Sequence, residues 1–216
     1  MPEPNSSSTD QNSSARDHQL REERAWVQAS LDGDNQAFGK LVERYQRRVY
    51  ALAYGILRSR EDAWDVAQEA FVKAYKNLSS YEGTAAFYTW LYRITYNLSL
   101  DHLRSKNRRD VVQFDETHGE DQAASEQLPK PEHPSEAVDR RELAAVVQHA
   151  MTQLSDKHRA IIVLREIEGL SYEEMAEVLK ISKGTVMSRL FHARRNLQEL
   201  LKPYLDEGKD VAPQGA

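Results

Sequence analysis

The densest chemistry in this sequence lies between Tyr81 and Arg109, where aromatic rings give way to cations. Phe87, Tyr88, Trp90, Tyr92 and Tyr96 fall within ten residues, interleaved with Thr89, Arg93 and Asn97. From Arg93 to Arg109, five cations (Arg93, Arg104, Lys106, Arg108 and Arg109) oppose Asp101, a net charge of +4. Rings beside a cationic strip suit single-stranded nucleic acid, because bases stack on rings while cations hold phosphates. The competing reading is that most of these rings are core. At least one of Trp90 and Tyr92 must be buried; whether both are stays open.

A second constellation lies near the C-terminus. Ser171-Tyr172-Glu173-Glu174 has the form of a capping box, with Ser171 as N-cap and Glu174 at N3. The short helix it starts is expected to bury Met175, Ala176, Val178 and Leu179. A turn follows at Lys180-Ile181-Ser182, and Ser182 caps a long helix running to about Leu201. Short helix, tight turn and second helix make a helix-turn-helix, whose second helix enters the major groove.

At ~100° per residue, Val186, Leu190, Ala193 and Leu197 form the core stripe of that second helix. Gly184, Ser188, Phe191, His192 and Arg195 lie opposite. An outward Phe191 among small and basic residues suits contact with a thymine methyl better than packing. Over residues 183–202, five cations (Lys183, Arg189, Arg194, Arg195 and Lys202) oppose Glu199, a net +4 that suits phosphate. The expected duplex-contacting set is Lys183, Gly184, Thr185, Ser188, Arg189, Phe191, His192 and Arg195. The plainer alternative is an ordinary basic surface helix.

A third segment, Asp62 to Ala74, places Ala63, Val66, Ala67, Ala70, Phe71 and Ala74 on one helical stripe. Asp65, Gln68 and Glu69 fall on the other side. Taken alone, those three read as a solvated face.

The elements that must position these groups are helices. From about Glu22 to Lys106, apolar residues recur at three- and four-residue spacing without a proline. Residues 107–138 break the pattern with Gly119, Pro129, Pro131 and Pro134. Over 110–139, nine acids stand against Lys130, a net -8 that exceeds the whole chain's -5. From Arg140 to Leu205 the periodicity resumes; Ser155 is an expected N-cap, and Gly169 an expected helix end. The expected fold is all-α: two small helical domains joined by a long acidic linker, the C-terminal one a helix-turn-helix. Its parts are a disordered tail (1–20), a first domain (21–106), the linker (107–138), a second domain (139–205) and a tail (206–216).

Composition bounds the function. With no cysteine, disulfides and thiolate metal sites are excluded, which fits a reducing cytoplasm. No apolar run is long enough to span a bilayer, and the polar N-terminus lacks a signal-peptide core. The seven histidines are scattered, and no glycine-rich phosphate loop precedes a helix, so an enzyme is not expected. Neither a cofactor nor a metal is expected.

With those residues in view, the chain resembles bacterial sigma factors of the extracytoplasmic-function (ECF) group, in the sigma-70 family, from about Phe38 to Leu205. Asp65-Val66-Ala67-Gln68-Glu69-Ala70-Phe71 is similar to the helix that grips core RNA polymerase. The resemblance therefore assigns Asp65, Val66, Gln68 and Glu69 to core binding, against the solvated-face reading. Phe87 to Ile94 is similar to the element that melts and reads the -10 promoter region, which implies DNA contact by Thr84, Phe87, Tyr88, Thr89, Trp90, Arg93 and Asn97. Gly184 to Phe191 matches the -35 recognition helix.

The family departs from this chain at Met187 and His192, where it often has basic residues, and at Lys180, where a turn glycine is typical. Ser182-Lys183 stands in place of a usual Pro-Val. Glu82 and Thr84 replace residues that are often basic and acidic. The resemblance implies three partners: core polymerase, through its β′ clamp helices and β flap; promoter DNA, as -35 duplex and -10 single strand; and an anti-sigma factor. It also implies a stress or envelope response in the cytoplasm, and an acidic linker that mimics RNA in a cationic polymerase channel. A repressor binding duplex DNA on its own is the alternative, but it leaves the Phe87–Arg93 cluster unexplained.

Overall fold

Local sequence signals set the helix boundaries in this computed structural model, which describes residues 7–116 and 136–207. The chain divides into an N-terminal unit, built from residues up to about Leu100, and a C-terminal unit that follows it. Each described element is helical, with no strand among the described residues. None of these helices is long and apolar enough to cross a membrane.

Three helices and the first half of a fourth make the N-terminal unit: α1 (Ser7–Leu31), α2 (Asn35–Leu57), α3 (Arg60–Lys76) and α4 (Phe87–Glu116), the last as far as Leu100. Gly33 turns the chain after α1 with φ of 99°. Asp34 then caps α2, accepting from the Gln36 and Ala37 amides at 2.8 and 3.3 Å. Ser59 does the same for α3, accepting from the Asp62 amide at 3.2 Å. On α2, Leu41, Val49, Leu52 and Ile56 are fully buried. The facing stripe of α3 is mostly alanine (Ala63, Ala67, Ala70, Ala74), so the two helices pack closely along their length.

Two boundaries differ from the sequence expectation. Helix α1 begins at Ser7, inside the segment expected as a disordered tail. After Pro4 that segment holds no proline or glycine, and Ala15, Arg16, Gln19 and Leu20 favour helix, so nothing local stops it. Likewise α4 continues to Glu116, ten residues into the expected linker. The first breaker after Gly83 is Gly119, which leaves the helix free to propagate. Most of the acidic linker (117–135) and the segment 208–216 lie outside the described residues.

The C-terminal unit contains α5 (Glu136–Gln153), α6 (Asp156–Ile162), α7 (Tyr172–Leu179) and α8 (Lys183–Glu207). Ser155 caps α6, as its position suggested. That helix widens into a π turn at Val163–Ile167 before Gly169, with φ of 71°, ends it. The Leu170 amide donates back to the Leu164 carbonyl at 3.0 Å, six residues earlier and one more than in the usual glycine C-cap, as the widened π turn requires. Both bonds of the capping box form: Glu174 N–H to Ser171 Oγ at 3.2 Å and Ser171 N–H to Glu174 Oε2 at 2.8 Å. Ser182 caps α8 by accepting from the Thr185 amide at 3.1 Å.

Met151, Leu154, Ile161, Leu164, Leu190 and Ala193 are buried, and α8 packs against α5 and α6. Arg159 is buried too, and its guanidinium donates to the carbonyls of Met151, Thr152 and Leu154 at 2.8–3.2 Å. It closes the C-terminus of α5, which has no glycine to do so. Sequence spacing carried no sign of this role.

Candidate nucleic-acid and polymerase faces

Helix α8 presents two faces, as its periodicity requires. Val186, Leu190 and Ala193 are buried, while Leu197 is only half-buried. Lys183, Gly184, Thr185, Ser188, His192 and Arg195 are exposed, and Arg189 is half-buried. Phe191 is 63% exposed and Met187 52%, large values for apolar side chains. The Phe191 ring meets His192 edge-on, with centroids 5.4 Å apart.

Several α8 cations already hold carboxylates. Lys183 pairs with Glu173, whose carboxyl is held below its ordinary value by that hydrogen bond. Arg195 pairs with Glu199 at 3.0 Å, and Arg194 grips Glu166 through Nε and Nη2 at 2.9 and 2.6 Å. Exposed pairs of this kind are screened by solvent and hold their partners weakly, so Lys183 and Arg195 can exchange their carboxylates for phosphates at little cost. Arg194 ties α8 to the end of α6 and thereby sets the helix's attitude. Near the start of α6, His158 Nδ1 lies 3.2 Å from the Asn196 amide. Burial, then Arg189 and His192, push its pKa down, so this histidine is neutral beside a cationic face.

The entrance to α4 is more closed than the sequence suggested. Phe87 is fully buried, Trp90 is 7% exposed, and Thr89, Tyr92 and Tyr96 are buried as well. Trp90 and Tyr92 are thus both buried. Tyr81 packs on Phe87 and Trp90, with centroids 5.6 and 5.5 Å away, and its hydroxyl donates to the Ala85 carbonyl at 2.6 Å. The loop is therefore stapled to the helix it precedes. Thr84 and Asn97 are exposed, while Tyr88 and Arg93 are half-buried. Phe87, Thr89 and Trp90 offer no ring or side-chain face to a strand as they stand. Stacking by Trp90 requires it to move.

Thr89 nevertheless has a property that points outward. Its Oγ1 is buried and has no hydrogen-bond partner among the described residues. A buried hydroxyl left unpaired costs about 1–3 kcal/mol, and a base edge could satisfy it.

One residue at this entrance was invisible to sequence spacing. Glu23 of α1 is buried, and its Oε1 accepts from the Phe87 amide at 3.0 Å. Its other oxygen accepts from the Tyr45 hydroxyl. Burial first, then Glu23, hold the Tyr45 phenol far above its ordinary pKa, so it remains the donor. A carboxylate also suits the positive end of a helix. Glu23 thus fixes the first turn of α4 from a helix 64 residues earlier in the chain.

On α3, Asp65, Gln68 and Glu69 are exposed along one side. Val66, assigned with them from the resemblance, is buried and serves the core instead. The outer face also carries Trp64 and Val72, each more than half exposed. Val72 lies three, four and seven residues from Glu69, Gln68 and Asp65, so it extends their stripe with an apolar contact.

Two helical units, one with a helix-turn-helix and the other with an aromatic-cationic helix, define a DNA-reading protein of two-domain type. A family model for sigma-70 region 2 matches residues 41–109, and one for sigma-70 region 4 matches residues 144–197. The RNA polymerase sigma-H factor of Pseudomonas aeruginosa is 41% identical over 179 residues, covering 81% of this chain and 91% of that protein. The ECF RNA polymerase sigma-E factor of Haemophilus influenzae is 37% identical over 187 residues, covering 85% and 97%. Among solved structures, CnrH in complex with the cytosolic domain of CnrY has a TM-score of 0.58 at 27% identity, covering 84% of this chain and 98% of that one. The sigma factor RpoE with the anti-sigma factor NepR, from Bartonella quintana, also gives 0.58, at 28% identity and coverage of 76% and 96%. The chain belongs to the ECF group of the sigma-70 family of RNA polymerase sigma factors, which direct core polymerase to promoters.

Proposed function

We propose that the C-terminal unit reads -35 duplex through the outward face of α8, while the N-terminal unit holds the -10 non-template strand at the entrance of α4. The observation that carries this is the sorting of α8: Ser188, Phe191, His192 and Arg195 face out while Val186, Leu190 and Ala193 face the core. Residues 21–106 then act as region 2, 107–138 as the acidic linker, and 139–205 as region 4. On α3, Asp65, Gln68 and Glu69 contact the clamp helices, with Val66 supporting them from beneath. At the α4 entrance, Thr84, Tyr88, Arg93 and Asn97 meet the strand first, and Thr89 and Trp90 engage once it opens the site. Stacking contributes roughly 1–3 kcal/mol per base to the melted strand.

The factor performs no chemistry itself and works in the cytoplasm, where its polymerase is. Complexes of CnrH with CnrY and of RpoE with NepR support control by an anti-sigma protein. A stress or envelope signal would release the factor from it.

In vitro transcription with core polymerase over a promoter library tests the whole reading; the absence of core-dependent initiation anywhere would overturn it. A mobility shift separates it from a repressor, which binds its site without core enzyme. Arg195→Ala should weaken -35 binding and reduce its salt slope by ~0.9. An unchanged slope would remove Arg195 from the interface.

A further inference from the structure

Glu23 is a buried carboxylate that neither DNA site nor the polymerase face uses directly. It stands on α1, 64 residues before its partner on α4. Its two oxygens serve two other helices. Oε1 accepts from the Phe87 amide at 3.0 Å, and Oε2 accepts from the Tyr45 hydroxyl of α2. The Phe87 amide belongs to the first turn of α4, where no carbonyl of the helix itself can reach it. Amides at a helix start are usually satisfied by a capping side chain just before the helix, but Ala86 has none to offer. A side chain from another helix therefore does what the local sequence cannot.

That turn carries the groups assigned to the -10 bases. The fully buried Phe87 ring packs on Tyr45, Tyr81 and Trp90, with centroids 5.9, 5.6 and 5.6 Å away. Thr89, with its unpartnered hydroxyl, and Trp90 follow within the same turn. Burial first, then the charge of Glu23, raise the pKa of the Tyr81 phenol, whose ring covers Trp90. Glu23 thus acts on the loop as well as on the helix. An apolar contact would hold a helix start without burying a charge. A carboxylate bridging an amide and a phenol fixes distance and direction, and discrimination between bases needs both.

We propose that Glu23, held by Tyr45, is a positioning residue for base discrimination at the -10 site. It sets the depth and angle at which Thr89 and Trp90 meet a base, without touching DNA itself. This assignment rests on the -10 reading above and extends that site to a carboxylate on α1.

The test uses holoenzyme assembled from the full chain and core polymerase, with two single-stranded probes of equal length. One carries the -10 sequence of a promoter the holoenzyme transcribes; the other is oligothymidine. Their affinity ratio reads base discrimination, and the salt slope of each reads phosphate contacts. Glu23→Ala should cut the ratio about tenfold, as expected for losing one hydrogen bond to a charged group, with both slopes unchanged. Glu23→Gln, whose amide oxygen still accepts from Phe87, should keep the ratio within about twofold. Tyr45→Phe keeps the ring, removes the hydroxyl that holds Glu23, and should cut the ratio about threefold. Combined with Glu23→Ala it should add no further loss, because Tyr45 acts only through Glu23. The assignment is overturned if Glu23→Ala keeps the wild-type ratio, or weakens both probes equally as a merely structural carboxylate would. It is also overturned if the Gln variant loses as much as the Ala variant, or if the two single losses add. Should Glu23→Ala fail to assemble with core, Tyr45→Phe decides alone, and a wild-type ratio there overturns the assignment. Failure of wild-type holoenzyme to prefer the -10 strand would instead overturn the -10 reading, and this assignment with it.

Discussion

Under the proposed reading, Thr89 keeps its hydroxyl for a base of the -10 strand. Its unpaired buried hydroxyl costs the folded chain stability and returns nothing until a partner arrives. Thr89→Val keeps the shape and removes the orphan. Its melting temperature should equal or exceed that of the native chain, while -10 strand affinity falls about fivefold, the worth of one hydrogen bond. Fluorescence anisotropy with a labelled strand and a thermal melt read the two effects separately. A variant that binds as well as the native chain would mean the hydroxyl is merely buried. Phe191 presents the same logic on α8, where a 63% exposed ring earns nothing in the free protein.

At the scale of elements, the chain places helices by caps and turns, and two of these can be tested. Lys180 ends α7 in the left-handed region, at φ of 51° and ψ of 48°. A side chain there crowds the backbone by about 1 kcal/mol. Lys180→Gly should therefore raise the unfolding temperature of the C-terminal unit by about 2–6 °C, measured calorimetrically on the full chain. No change, or a fall, would show that the unfolded chain's entropy outweighs the relieved strain. The first turn of α4 is held differently, by the Glu23 carboxylate of α1. Glu23→Ala strands the Phe87 amide and the Tyr45 hydroxyl, and should cost about 2–4 kcal/mol in urea unfolding. Glu23→Gln keeps an acceptor for the amide and should recover most of that loss. Equal losses in the two variants would make charge, not geometry, the essential feature.

For the whole molecule, charge is distributed rather than uniform. A chain of net -5 carries +4 over residues 183–202 of α8, +4 from Arg93 to Arg109 and -8 across residues 110–139. Net charge alone would have argued against nucleic acid; its distribution argues for it. If the linker occupies a cationic polymerase channel, converting Asp115, Glu116, Glu120, Asp121, Glu126 and Glu132 to their amides should weaken core binding and alter abortive synthesis. Competition binding and a short-transcript assay measure the two. Unchanged values in both would remove the linker from the mechanism.

The sequence by itself determined whatever depends on neighbours within about one helical turn. The Ser171–Glu174 capping box, the Ser155 and Ser182 caps, and the two faces of α8 all follow from three- and four-residue spacing, because helix geometry repeats on that scale. What lay beyond was settled by packing between distant segments. Nothing in the order of Phe87-Tyr88-Thr89-Trp90 says which rings are buried, since that depends on Tyr81, Tyr45 and the helices laid against them. Glu23 on Phe87, Arg159 on the end of α5 and Arg48 on Tyr88 join groups by three-dimensional proximity, with no sequence period to announce them. The proposed -10 site was therefore legible as a composition of rings and cations, but only the tertiary structure decided which of them are buried and which lie at the surface.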